Sequence, residues 1–145
     1  AISNNNGKQK MQINDFSMTS TLSKLNEKSK YYKIKNLIIG NKKKKFEFIK
    51  TERLDFFTKK RKLKNIDLLK IDTEGHELNV VKSGLKTLKN TKYILVEFRQ
   101  NDLYLNYSSS LLHKMITKNN FELVKNFKFP MFSMEDRLYK NILIK

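Results

Sequence analysis

The spacing of apolar residues changes character along this chain. From Ile66 to Asp72 (IDLLKID) the apolar positions are nearly continuous, the pattern of a short strand buried on both faces in a parallel sheet. From His76 to Asn90 they fall at Leu78, Val81, Leu85 and Leu88, which predicts one face of an amphipathic helix. Tyr93 to Phe98 (YILVEF) predicts the next buried strand. Ser108 to Asn119 carries Leu111, Leu112, Met115 and Ile116 at helical spacing, with serines placed to cap it. Phe121 to Phe127 and Leu138 to Ile144 predict two last strands with no helix between them. They are expected to pair antiparallel across a loop that holds Pro130, the only proline.

The first half is less periodic. Lys8 to Asn14 alternates polar and apolar, as a half-buried strand does. Asp15 to Ser29 is rich in Ser, Thr and Asn and predicts a loop, with a short helical turn around Leu22 to Leu25. Tyr31 to Ile39 predicts a strand that ends at Gly40-Asn41, and Lys45 to Leu54 a further strand. Asp55 to Lys62 predicts a short helix with Asp55 near its cap. Strand and helix alternate, so the expected class is α/β: a mostly parallel sheet with right-handed crossovers and an antiparallel last strand, in one domain over 1–145.

Composition narrows the function. A chain of 145 residues buries roughly two-thirds of its surface and needs no covalent staple. It has no cysteine, which excludes a disulfide framework, a thiolate zinc site and a cysteine nucleophile. That usage is compatible with a cytoplasmic setting, the expected one. No apolar run approaches the ~20 residues of a membrane span. The net charge of +17 invites a nucleic-acid partner. However, 27 of the 31 basic residues are Lys, Asn occurs 16 times and Ile 12 times, the usage of A+T-rich coding sequence. Nucleic-acid sites favour Arg and cluster their charge, whereas these lysines are spread along the chain. The balance is against nucleic acid, which stays as the alternative class beside a non-catalytic relic of an enzyme fold.

Ligands of open α/β sheets bind outside the carboxyl ends of the strands. Here those ends carry Asp72-Thr73-Glu74-Gly75-His76-Glu77 and Glu97-Phe98-Arg99-Gln100. Two acids, a glycine and a histidine at a strand-to-helix junction suit acid–base chemistry or a polar ligand. The same acids also suit helix capping, and a lone His there suits a surface or capping role. Glu97 ends a strongly apolar strand, so its carboxylate needs a polar partner or a ligand. Asp72, Glu74 and His76 offer hard donors, but the spacing is too weak a signal to predict a metal.

The stretch Leu69 to Phe98, LKIDTEGHELNVVKSGLKTLKNTKYILVEF, resembles the core signature of the FkbM-type methyltransferases. That signature is a Lys-Ile-Asp-x-Glu-Gly-x-Glu segment, a helix with a Lys-Gly pair and a strand ending in Glu. Lys82-Ser83-Gly84 stands for the pair, with one residue inserted. Ala1 to Gly7, Thr19 to Leu22, Phe46 to Phe57 and Leu138 to Lys145 resemble flanking family segments. The resemblance implies a Rossmann-like, class I methyltransferase that uses S-adenosylmethionine to methylate a hydroxyl on a sugar, glycan or polyketide-like acceptor. It implies that Asp72 lies near the methionine end of the cofactor and the acceptor, orienting the hydroxyl or taking its proton. Glu74, His76 and Glu97 are implied to face the same cleft, and Ala1, Ile2 and Ser3 the adenine. The family's glycine-rich loop and ribose-binding acid have no counterpart, since glycines stand only at 7, 40, 75 and 84. The expectation is a domain lacking its first two βα units, inactive alone and without affinity for the cofactor, with an exposed, association-prone edge at Ile66 to Asp72.

Overall fold

A computed structural model describes residues 1–13, 20–39, 45–129 and 134–144. The elements run β1 (Gly7–Ile13), α1 (Lys30–Ile39), β2 (Lys45–Thr51), α2 (Leu54–Lys60), β3 (Ile66–Ile71), α3 (Glu77–Ser83), α4 (Leu85–Leu88), β4 (Thr91–Arg99), α5 (Ser109–Lys118), β5 (Phe121–Phe129) and β6 (Met134–Asn141). β1 and β2 form a two-stranded antiparallel sheet, and the other strands form a sheet of order β3-β4-β6-β5.

In the larger sheet β3 and β4 pair parallel, while β6 is inserted between β4 and β5 and pairs antiparallel with both. β3, β4 and β5 therefore run one way and β6 the other. β6 runs Met134–Asn141 and not Leu138 to Ile144, because its pairing with β4 begins at Met134 opposite Arg99. The antiparallel last strand and the β5–β6 pair are otherwise as expected. The mostly parallel sheet is not: one of the three pairings is parallel, and the small sheet is antiparallel. The physical reason lies in the connections. Only β3 to β4 is a helical crossover between adjacent strands, and β6 starts at Met134 so soon after β5 ends at Phe129 that the connection is too short for a parallel return, which needs about a dozen residues.

Three further expectations are corrected. Tyr31 to Ile39 is helix α1, not a strand. Ser29 Oγ accepts from Tyr32 N–H at 2.9 Å, and this cap prevails over the β-prone composition. Leu22 to Leu25 is not helical; Thr21 bridges to Gln12 and Leu25 to Tyr104 instead. β3 is not buried on both faces, since it is an edge of its sheet among the described residues and Leu68 is 53% exposed. The Gly40-Asn41 turn and the Pro130 loop lie outside the described residues.

The core explains the rest. Ile94, Val96 and Phe98 alternate along β4 toward the helices, where Leu78, Val81 and Leu88 meet them with Leu112 and Ile116 of α5. The helix predicted over His76 to Asn90 is broken at Gly84, which turns α3 into α4 and leaves Leu85 exposed. A side chain at Gly84 would strike Leu54, with Cγ at 3.0 Å. Asp55 does not cap its own helix, whose N-cap is Arg53. Its carboxylate instead accepts from Lys86 N–H, Thr87 N–H and Thr87 Oγ1 at 3.2, 2.8 and 2.8 Å, and so caps α4.

Candidate active site

The turn between β3 and α3 is built around Glu77. Its side chain is 1% exposed, and Oε1 accepts from Thr73 N–H, Thr73 Oγ1 and Gly75 N–H at 2.9, 3.1 and 3.1 Å. The carboxylate folds back on its own turn, and burial pushes its pKa up. Glu74 and Gly75 take left-handed backbone, at φ 53° and 86°. Gly75 is obligatory twice over. A Cβ there would overlap Cγ and Cδ2 of Tyr104 and stand 2.9 Å from Cδ1. From the N-terminal side, Thr21 Oγ1 donates to Glu74 O at 2.6 Å and Ser23 Oγ to Gly75 O at 2.8 Å.

This turn throws Glu74 toward the end of β4, where Glu97 lies. Asp72, Glu74 and Glu97 bring carboxylate oxygens within 4.8 Å of one another. A buried carboxylate, Glu97, so close to the partly buried Glu74 requires a cation, and Arg99 supplies it. Arg99 is 7% exposed and donates from Nη2 to Glu74 Oε2 at 2.8 Å and to both Glu97 oxygens at 3.1 Å. Tyr104 OH donates to the same Glu74 oxygen at 2.6 Å, and its ring lies 5.5 Å from the guanidinium. Tyr107 OH accepts from Arg99 N–H at 3.0 Å. Burial, opposed by Arg99 and reinforced by the neighbouring acids, pushes the Glu97 carboxyl up to about 7. Burial also pushes the Tyr104 phenol well above its ordinary range.

Asp72 is the exposed member. Its Oδ2 meets Lys70 Nζ at 3.0 Å, and its side chain is 43% accessible. The three carboxylates could hold a hard cation, but Arg99 already fills that role for two of them.

His76 does not join the acids. It is buried, with Nε2 2.9 Å from Ser3 Oγ and Nδ1 3.2 Å from Asn79 Nδ2. The Asn79 amide donates to Nδ1, so Nε2–H donates to Ser3, whose hydroxyl continues to Gln9 Oε1 at 3.1 Å. Burial drives the imidazole down to about 4, and it is neutral at physiological pH. Ser3 is fully buried in this network, and its N–H donates to Glu52 O at 2.9 Å. Ala1 is exposed and Ile2 half-buried against the core, the first pairing with Glu52 and the second bridging to it. Sequence reasoning passed over Glu77, Arg99 and Tyr104 as site residues. Arg99 was visible as the one cation at a strand end full of acids, whereas Tyr104 lies in a loop with no local signal.

The FkbM methyltransferase domain model matches residues 1–125. A 56-residue stretch is 36% identical to the 2-O-methyltransferase NoeI of Sinorhizobium fredii, covering 39% of this chain and 23% of that protein. The chain thus spans under a quarter of the length of that relative. No solved structure matches significantly. With the family model covering most of its length, this chain belongs to the FkbM methyltransferase domain family.

Proposed function

We propose that the chain is part of an S-adenosylmethionine-dependent O-methyltransferase acting on a hydroxyl of a sugar, glycan or polyketide-like acceptor. The observation that carries this reading is the convergence of Asp72, Glu74 and Glu97 at the carboxyl ends of β3 and β4 in a chain of this family. The acidic donor set fits the positively charged methionine end of the cofactor, which supplies an electrophilic methyl group when bound. Asp72 and Glu74 are the residues we assign to that end, and Ala1 and Ile2 to the adenine side. Ser3 and His76 support the site by joining the N-terminal segment to α3.

Asp72 is the accessible carboxylate, so it orients the acceptor hydroxyl and takes its proton. Glu97, titrating near neutrality beside it, sets the charge that Asp72 and the acceptor experience. Arg99 and Tyr104 keep Glu74 and Glu97 in place through the reaction. The reading is tested by incubating the intact protein with methyl-labelled cofactor and a panel of glycosides and secondary alcohols. The expected product is a base-stable methyl ether. Label only in base-labile esters, or none in any alcohol, contradicts methylation of a hydroxyl.

A further inference from the structure

We propose that Asp136 on β6 is a specificity-determining residue of this site, which admits hydroxyl-bearing acceptors that are neutral or cationic and turns away anionic ones. The inference rests on the methyltransferase reading above and deepens it. Asp136 stands directly opposite Glu97 in the β4–β6 ladder, so both side chains project from the same face of the sheet. Asp72 follows the last β3–β4 ladder pair, Ile71 with Val96, and thus reaches the same level on the other side of Glu97. Three neighbouring strands therefore present a row of carboxylates, Asp72, Glu97 and Asp136. β6 runs against its neighbours, so its beginning lies at the carboxyl ends of β3 and β4, where the site is.

The row is a local exception in a chain of +17. Lys70 is bonded to Asp72 and acts electrostatically on Asp136 and Glu97 as well, while Arg99 is committed to Glu74 and Glu97. Four carboxylates, with Glu74, thus share these two cations. Asp136 is half-buried; burial pushes its pKa up, with Lys70 opposing the shift and Asp72 reinforcing it. On the far side the row ends at Phe127 of β5, opposite Asp136, with Lys125 Nζ 5.0 Å from the ring centre. Carboxylates accept hydrogen bonds from hydroxyls and ammonium groups, and an acceptor carrying its own carboxylate or phosphate meets like charge that the two cations compensate only in part.

The test uses one pyranose ring in three charge states: methyl glucoside, glucosamine and glucuronic acid. Each is titrated into the 15N-labelled chain, and shifts are followed at the amides of Glu97, Asp136 and, as a control, Lys125. The expected result is binding of the neutral and cationic sugars at Glu97 and Asp136, with glucuronate weaker by about tenfold, the scale of one added like-charge contact at a partly wet surface. In Asp136→Asn the penalty on glucuronate is expected to vanish while the amide spectrum stays dispersed. Equal or tighter binding of glucuronate, shifts at Lys125 in place of Asp136, or no shift with any sugar overturns the proposal. Asp136→Ser is the second variant should Asp136→Asn not fold, and the same loss of the glucuronate penalty is expected in it. Binding is read without methyl transfer, so an unaltered ranking in the Asp136 variants overturns the proposal and leaves the methyltransferase reading untouched. Failure of the intact protein to methylate any alcohol discards the reaction instead.

Discussion

Gly75→Ala tests whether the site turn is held by contact with Tyr104 or by the backbone alone. Two costs add. Alanine at φ 86° carries left-handed strain of about 1–2 kcal/mol. Its Cβ also overlaps the base of the Tyr104 ring, and such overpacking costs about 1–3 kcal/mol. The ring cannot swing away cheaply, because its hydroxyl is bonded to Glu74 at 2.6 Å and it lies beside Arg99. The expected loss is therefore about 2–5 kcal/mol. Tyr104→Ala alone empties a buried aromatic site and costs about 3–5 kcal/mol. In the double variant the overlap no longer exists, and only the backbone strain of the alanine in the turn remains. Urea unfolding of the four proteins gives the coupling energy directly. The double variant should be more stable than the sum of the singles predicts, by about 1–3 kcal/mol. Additivity within about 0.5 kcal/mol would refute the claim that Tyr104 and Gly75 form one contact.

Other consequences follow from the same geometry. Glu97 has a folded-state pKa raised to about 7, so its native form holds a proton that the unfolded chain releases near 4.5. Its contribution to stability is present below 4.5 and is lost as pH rises toward 7, and Glu97→Gln should abolish that slope in urea midpoints. His76 acts in the opposite direction. Its folded value is depressed to about 4, so its contribution is present above 6.5 and lost as pH falls toward 4; the slope left in Glu97→Gln should have this sign. Asp55→Ala removes the cap of α4 and should cost about 1–2 kcal/mol by denaturant unfolding, with Asp55→Asn costing less. Arg99→Met leaves Glu74 and Glu97 buried without their cation and should cost about 3–5 kcal/mol, partly recovered when Glu97→Gln is added.

How far the sequence could be read depended on whether local pattern and long-range pairing agreed. Around α3, β4 and α5 they did, because each element buries one periodic face in the same core. α1 was misread because its aromatic and branched residues favour a strand, and the decisive hydrogen bond comes from Ser29 outside the pattern. The break at Gly84 and the capping of α4 by Asp55 depend on residues 30 to 32 positions apart, which no local window contains. The placing of β6 between β4 and β5 is also non-local, and it is what brings Asp136 to Glu97. In the site, the acids at both strand ends were legible from their position. The division of labour among them was not, since Glu77 clamps the turn, His76 braces the N-terminal segment and Asp72 alone stays open.

In the proposed function Asp72 is the accessible carboxylate that would orient the acceptor and take its proton. Its most direct test is the rate of methyl transfer by the intact protein carrying Asp72→Asn, beside unfolding curves for both forms. We expect the rate to fall about 10²- to 10⁴-fold, the range for loss of a positioned acid–base group, with stability unchanged within about 0.5 kcal/mol. A variant that transfers methyl groups as fast as the parent would contradict the assignment of the active site to this cluster.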